Sequence, residues 1–254
     1  MNVEPLLPWL VCVLLLTVRL AAAVALSPAL SAYGTPASVR VALTFALATL
    51  AFADGRPAPE AAGWVAEPAR LALPVLCELG IGALMGLSVH VVLAGFAVAG
   101  RLMDVQAGFA LGSIFDPLTR SSSNVLGALT SLLGVTLFVA GGAHLELVRL
   151  VTASIRFFPI GHLPPLADPL RPLLASGWMF SLGLSLAAPL ALALLLADLG
   201  IGAIARNMPQ MNVLMLAIPL KILLGYAVLA VAVPFWGPLV RGAFAHVCAS
   251  MGLR

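Results

Sequence analysis

Residues 205–213 read Ala205-Arg206-Asn207-Met208-Pro209-Gln210-Met211-Asn212-Val213, and Ile218-Pro219-Leu220-Lys221-Ile222 comes shortly after. The run sets Arg, Asn, Pro, Gln and Lys in a part of the chain that is otherwise almost wholly apolar. In hydrocarbon, each polar side chain and each carbonyl freed by a proline needs a partner inside protein. Such a stretch belongs in a protein interior, an assembly interface or a wet channel.

Composition points the same way. Of 254 residues, 62% are hydrophobic and 9% charged, whereas about a quarter of a soluble domain is charged. The expected fold class is an all-α integral membrane protein, one domain over residues 1–254. Six apolar segments approach the ~17–25 residues needed to cross a bilayer: 6–27, 38–53, 71–99, 124–142, 174–200 and 213–236, the second of marginal length. Ser27-Pro28, Gly34-Thr35-Pro36 and Asp54-Gly55-Arg56-Pro57 break the chain between them. Ser121-Ser122-Ser123-Asn124 reads as an N-cap for the fourth segment. Pro159, Pro164, Pro165, Pro169 and Pro172 mark the longest loop.

If all six segments cross, the arginines set an orientation. With the N-terminus inside, Arg56, Arg70, Arg149, Arg156, Arg171, Arg241 and Arg254 lie on the cytoplasmic side, against Arg40, Arg101, Arg120 and Arg206 opposite. That imbalance favours both termini in the cytoplasm. The first segment reads as a retained helix rather than a signal peptide. It lacks a basic n-region, Glu4 stands there instead, and the run includes Arg19.

Several functions find no support in the residues. The net charge is +3 and the arginines are scattered singly, which is no nucleic-acid footprint. Cys12, Cys77 and Cys248 lie far apart, against a disulfide framework or a zinc site. His90, His144, His162 and His246 have no ligand spacing. Gly183-Leu184-Ser185-Leu186-Ala187 lacks the second glycine of a nucleophile elbow. No enzyme and no cofactor are expected.

Arg19, Glu78, Asp198 and Lys221 lie inside or at the edges of apolar segments. A charge at bilayer depth costs roughly 2.5–3.5 kcal/mol on insertion scales. These residues should therefore pair, face a bundle interior or line a pathway. Lys221 is expected to be buried and paired, with Glu78 or Asp198 as partner. Gly82 and Gly86, like Gly108 and Gly112, are four apart, a spacing that lets helix backbones approach. Residues 100–123 look like a connection of unusual kind. Arg101 and Asp104 stand three apart and can pair on one helix face. Gly108, Phe109, Leu111, Gly112, Ile114 and Phe115 follow, then the turn-forming step Asp116-Pro117.

Three stretches together resemble one family. Glu78-Leu79-Gly80-Ile81-Gly82 with Met85-Gly86 is similar to its E-x-x-x-G-x-x-x-G stretch, and Gly100 through Pro117 to its "G…D-x-Q-x-G…DP" region. Arg206 through Lys221, with Pro209, Gln210, Asn212 and Pro219, is the most specific. The family is FliR/SctT, the R-type (or T-type) subunits of type III protein export gates, and Met208-Pro209-Gln210-Met211-Asn212 looks slightly more flagellar.

The resemblance implies helices packed as hairpins within a hetero-oligomeric, helical gate. P-type and Q-type subunits (FliP-like, FliQ-like) form most of that channel, and the R-type chain closes it. FlhB-like and FlhA-like proteins, membrane lipid and unfolded export substrates are the further partners implied. The site is the bacterial inner membrane at the flagellar basal body. The loop from Gln106 to Ser122 would help plug the pore. Injectisome use of the same gate is the alternative. A small-molecule transporter would instead need two broken helices related by a repeat, and no partner for the break at Pro209 is visible.

Overall fold

The computed structural model describes residues 6–27, 36–53, 55–108, 125–162, 171–208 and 213–250. Among the described residues the secondary structure is helical: α1 (Leu6–Leu26), α2 (Ala37–Ala51), α3 (Ala61–Ala66), a 3-10 turn (Pro68–Leu71), α4 (Ala72–Ala107), α5 (Val125–Ala140), α6 (Ala143–Phe157), α7 (Arg171–Ser176), α8 (Trp178–Asn207) and α9 (Val213–Ser250). Leucine and alanine dominate, and both lose little on entering a helix. The chain is an all-α membrane protein. α1, α4, α8 and α9 are each long and apolar enough to cross a bilayer, and α5 with α6 makes a fifth if taken as one broken span.

The helices depart from the apolar segments in informative ways. α2 has 15 residues, about 22 Å at 1.5 Å per residue, short of a ~30 Å hydrocarbon core. α4 has 36 residues and α9 has 38, each well over ~50 Å, so neither fits within the hydrocarbon upright. Pro219, Pro234 and Pro238 all lie inside α9, and Pro189 inside α8. Each removes a helical hydrogen bond, yet the helix continues, because an apolar surrounding offers the backbone nothing better. The long connection that the prolines mark contains α6. Its buried residues Ala143, Leu147, Val151 and Ser154 recur at helical spacing.

The chain forms two compact units. The first contains α1, α2, α3, the start of α4 to His90, α6, α7 and the end of α9. In it α1 lies directly on α4. A Cβ on Gly82 would run into the Arg19 carbonyl, and one on Gly86 would come 2.7 Å from the Ala23 carbonyl. The small-residue pair thus serves packing within the chain. Cys12, Val13 and Leu16 of α1 and Ile81, Met85 and Val89 of α4 are buried here. Trp9 Nε1 donates to the Phe52 carbonyl at 3.3 Å, tying α1 to the residue that ends α2.

The second unit contains α4 from Val91, α5, α8 and most of α9. Gly95 meets Leu182 and Gly183 meets Val98, which seats α8 against α4. Gly134 meets the ring of Phe96. That ring is fully buried and packs edge-on against Trp236, centroids 5.7 Å apart. The outer faces remain apolar: Leu184, Leu192, Leu196, Leu199, Met215, Leu223, Val231 and Phe235 are all more than half exposed.

Candidate functional site

Among the described residues of the first unit, the apolar interior holds a charged cluster. Arg19 and Glu78 have fully buried side chains. Arg19 Nε donates to Glu78 Oε2 at 2.5 Å and Nη2 to Oε1 at 3.0 Å, a two-bond fork. Arg19 Nη1 donates to Ser154 Oγ at 2.9 Å, and Nη2 also reaches the Phe158 carbonyl at 3.1 Å. The Gly161 N–H donates to Glu78 Oε1 at 2.8 Å. Gly161 has φ +83°, and a Cβ there would strike Trp64. Every group in the cluster is thus satisfied, which a buried charge requires. One pair fixes α1, α4, α6 and the turn after α6 together.

In the second unit, the carboxylate of Asp104, on the last turn of α4, points at the start of α5. Its Oδ1 accepts the Leu126 N–H and its Oδ2 the Gly127 N–H, both at 2.9 Å. These are two of the orphan donors of the α5 N-terminus, and a negative charge is favoured there. The expected pairing with Arg101 is replaced by this contact, and Arg101 is exposed. A Cβ on Gly100 would collide with Thr130 Oγ and the Gly127 backbone, so α4 and α5 touch along Gly100–Asp104. α4 includes Gln106 and runs to Ala107, and Gly108, at φ +85°, ends it in the left-handed region that glycine tolerates. The other expected plug residues, Phe109, Leu111, Gly112, Ile114, Phe115, Asp116 and Pro117, lie outside the described residues, as does the expected Ser121–Asn124 cap.

The third group lies where α8 and α9 meet. Lys221 Nζ stands 2.5 Å from Asp198 Oδ1, so Asp198 and not Glu78 is its partner. The pair is half-buried rather than buried: the side chains are 18% and 42% exposed. Around it Leu195, Leu199, Leu220 and Leu223 are exposed. Arg206 is exposed in the last turn of α8, and Pro219 is exposed inside α9. Pro209, Gln210 and Asn212 lie outside the described residues. Ser185 Oγ donates to the Ser181 carbonyl of its own helix at 2.8 Å.

The profile of the bacterial export proteins, family 1, matches residues 10–247, which takes in all three groups. The chain belongs to that family. Flagellar biosynthetic protein FliR of Escherichia coli K12 is 26% identical over 245 residues, covering 96% of this chain and 92% of its own. FliR of Bacillus subtilis 168 is 27% identical over 244 residues, covering 94% and 92%. Yop proteins translocation protein T of Yersinia pestis is 30% identical over 154 residues, covering 57% and 56%. This export protein is accordingly a multi-pass inner-membrane member of the FliR/SctT family, a subunit of a type III export apparatus. The Arg19–Glu78 lock and the Asp104 cap were not legible as such, because each joins residues far apart in sequence. For α6 the apolar period Ala143, Leu147, Val151 was the available signal.

Proposed function

We propose that this export protein is the R-type subunit of a flagellar export gate. It closes a channel built mainly of P-type and Q-type subunits (FliP-like and FliQ-like), with FlhB-like and FlhA-like proteins beside it. Unfolded export substrates pass through that channel, and the segment from Gln106 to Ser122 helps plug it at rest. The observation that carries the reading is coverage. FliR of Escherichia coli and FliR of Bacillus subtilis each align over 92% of their own lengths. The exposed leucines of α8 and α9 suit a subunit whose outer faces meet other membrane helices or lipid. The protein has no catalytic role in this reading.

Mild-detergent purification followed by native mass spectrometry tests the assignment. One copy of this chain with several copies of two smaller membrane proteins is the expected result. A monodisperse, thermally robust monomer would sink it, since an obligate subunit has no stable free state. For the plug, removing several residues between 109 and 122 should leave the complex intact and make the membrane leak small ions.

A further inference from the structure

We propose that the outer face of α6 binds anionic phospholipid headgroups, with Arg156 and Arg149 reaching the phosphates. The inference needs only that the chain lies in a membrane, so it stands or falls apart from the gate reading. α6 has a pattern unlike the long apolar helices. Its buried residues Ala143, Leu147, Val151 and Ser154 form one inward stripe. Arg149 and Arg156 are seven residues apart, about 10 Å along the axis, and lie on the opposite side of the helix. Both are exposed. Leu145, Val148 and Phe157 are exposed beside them. Gly142, at φ +77°, caps the start of the helix and separates it from α5.

Two simpler settings do not fit this face. Hydrocarbon does not, because Glu146, Arg149 and Arg156 would each be costly at bilayer depth. Bulk water gives nothing to Leu145, Val148 and Phe157. The boundary between acyl chains and headgroups suits both sets, with apolar groups turned to the chains and guanidinium groups to phosphate. Charge selects the anionic class of lipid. Every acidic side chain among the described residues is already engaged within the chain. Glu67, Glu78, Glu146 and Asp198 pair with arginine or lysine, Glu60 stands 3.8 Å from His162, and Asp104 caps α5. Arg156 has no ion-pair partner among the described residues. Its counter-charge therefore comes from outside them, and a phosphate accepts a guanidinium through two parallel bonds. Arg149 shares its charge with Glu146 at 3.0 Å and is the weaker contact.

The test reads what touches this face in the membrane. The photocrosslinker benzoylphenylalanine replaces Phe157 in the full chain, made in bacterial cells with its partner subunits. After illumination the adducts are identified by mass spectrometry. Phospholipid adducts are expected, with phosphatidylglycerol enriched over its share of the membrane. Arg156→Gln should cut that enrichment about five-fold, the worth of one arginine near an anionic surface. Arg149→Gln should cut it less, and Arg156→Lys should keep most of it. Adducts to another protein overturn the proposal and make the face a subunit contact. Lipid adducts without anionic enrichment, or with enrichment that Arg156→Gln leaves unchanged, overturn it too. No adduct at all makes this a solvated face. If the chain with the probe at 157 does not accumulate, the same probe in place of the exposed Leu145 decides by the same outcomes. The gate reading is scored separately, by subunit composition in native mass spectrometry.

Discussion

Arg19 and Glu78, 59 residues apart, form a fully buried two-bond ion pair that joins the first helix to the longest apolar run of the N-terminal half. The pair is held by Ser154, Phe158 and Gly161, so its geometry leaves little unsatisfied. Desolvation offsets most of its Coulombic gain, and the pair matters chiefly through what its loss strands. Arg19→Met alone should destabilise by about 3–5 kcal/mol, because Glu78 stays buried without its counter-charge. Glu78→Met should cost as much. The double variant Arg19→Met with Glu78→Met should recover part of the loss. Yield of folded gate complex across this cycle checks it: additive losses in the double variant would mean the pair is not coupled.

Gly80 and Gly82 sit two apart on α4 in opposite settings. Nothing lies within 4 Å of a Cβ on Gly80, whereas one on Gly82 meets the Arg19 carbonyl and Ala22. Gly80→Ala should be neutral or stabilising by up to ~1 kcal/mol from helix propensity. Gly82→Ala must push α1 off α4 and disturb the Arg19 fork, so its loss should exceed ~1–3 kcal/mol, the usual cost of overpacking. Parallel melting of gate complexes that carry each variant reads the contrast. A Gly82→Ala protein as stable as Gly80→Ala would rule out the close α1–α4 contact.

Much of this architecture was legible from hydropathy, because a bilayer forces spans to be long, apolar and helical. The positions of α1, α4, α8 and α9 follow from it, and so does the flagging of Arg19, Glu78, Asp198 and Lys221. Pairing was not legible. Arg19 with Glu78 and Asp104 with Leu126 are tertiary choices that no local spacing encodes, and the local i, i+3 rule pointed Asp104 at Arg101 instead. Glu78 was a fair candidate for Lys221 until the structure spent both its oxygens on Arg19 and Gly161. Helix ends also escaped. Gln106 read as loop because glycines follow it, yet α4 continues to Ala107. α6 was hidden by the prolines beyond it and by Glu146, Arg149 and Arg156, which lower its hydropathy without breaking its period.

Phe96 is fully buried in the second unit, flanked by Gly134 and Trp236. Truncation to Ala should cost about 3–5 kcal/mol. Of this, ~0.5–1.5 kcal/mol belongs to the edge-on contact with Trp236. Phe96→Leu should keep most of the volume and cost less. A thermal shift for Phe96→Ala no larger than that for Phe96→Leu would mean the site collapses around the smaller residue.

Asp198 and Lys221 form an ion pair that the chain by itself leaves partly open. In the free chain the side chains are 42% and 18% exposed, and an ion pair so open is worth about 1 kcal/mol or less in water. The surrounding leucines say that water is not the medium this face meets in a membrane assembly. Once a neighbouring subunit or lipid covers the pair, removing Lys221 strands the Asp198 charge, at about 3–5 kcal/mol. Lys221→Ala should therefore leave the amount of chain inserted in the membrane nearly unchanged while lowering the yield of assembled gate steeply. Asp198→Asn should be milder, since it leaves a lysine long enough to snorkel toward water. The double variant Asp198→Asn with Lys221→Met should assemble better than Lys221→Ala. Both quantities come from one preparation: membrane-inserted chain by quantitative immunoblot, assembly by native mass spectrometry. Equal effects on the two would show that the pair acts within the chain alone, and full assembly of Lys221→Ala would make Lys221 a surface residue with no part in the gate.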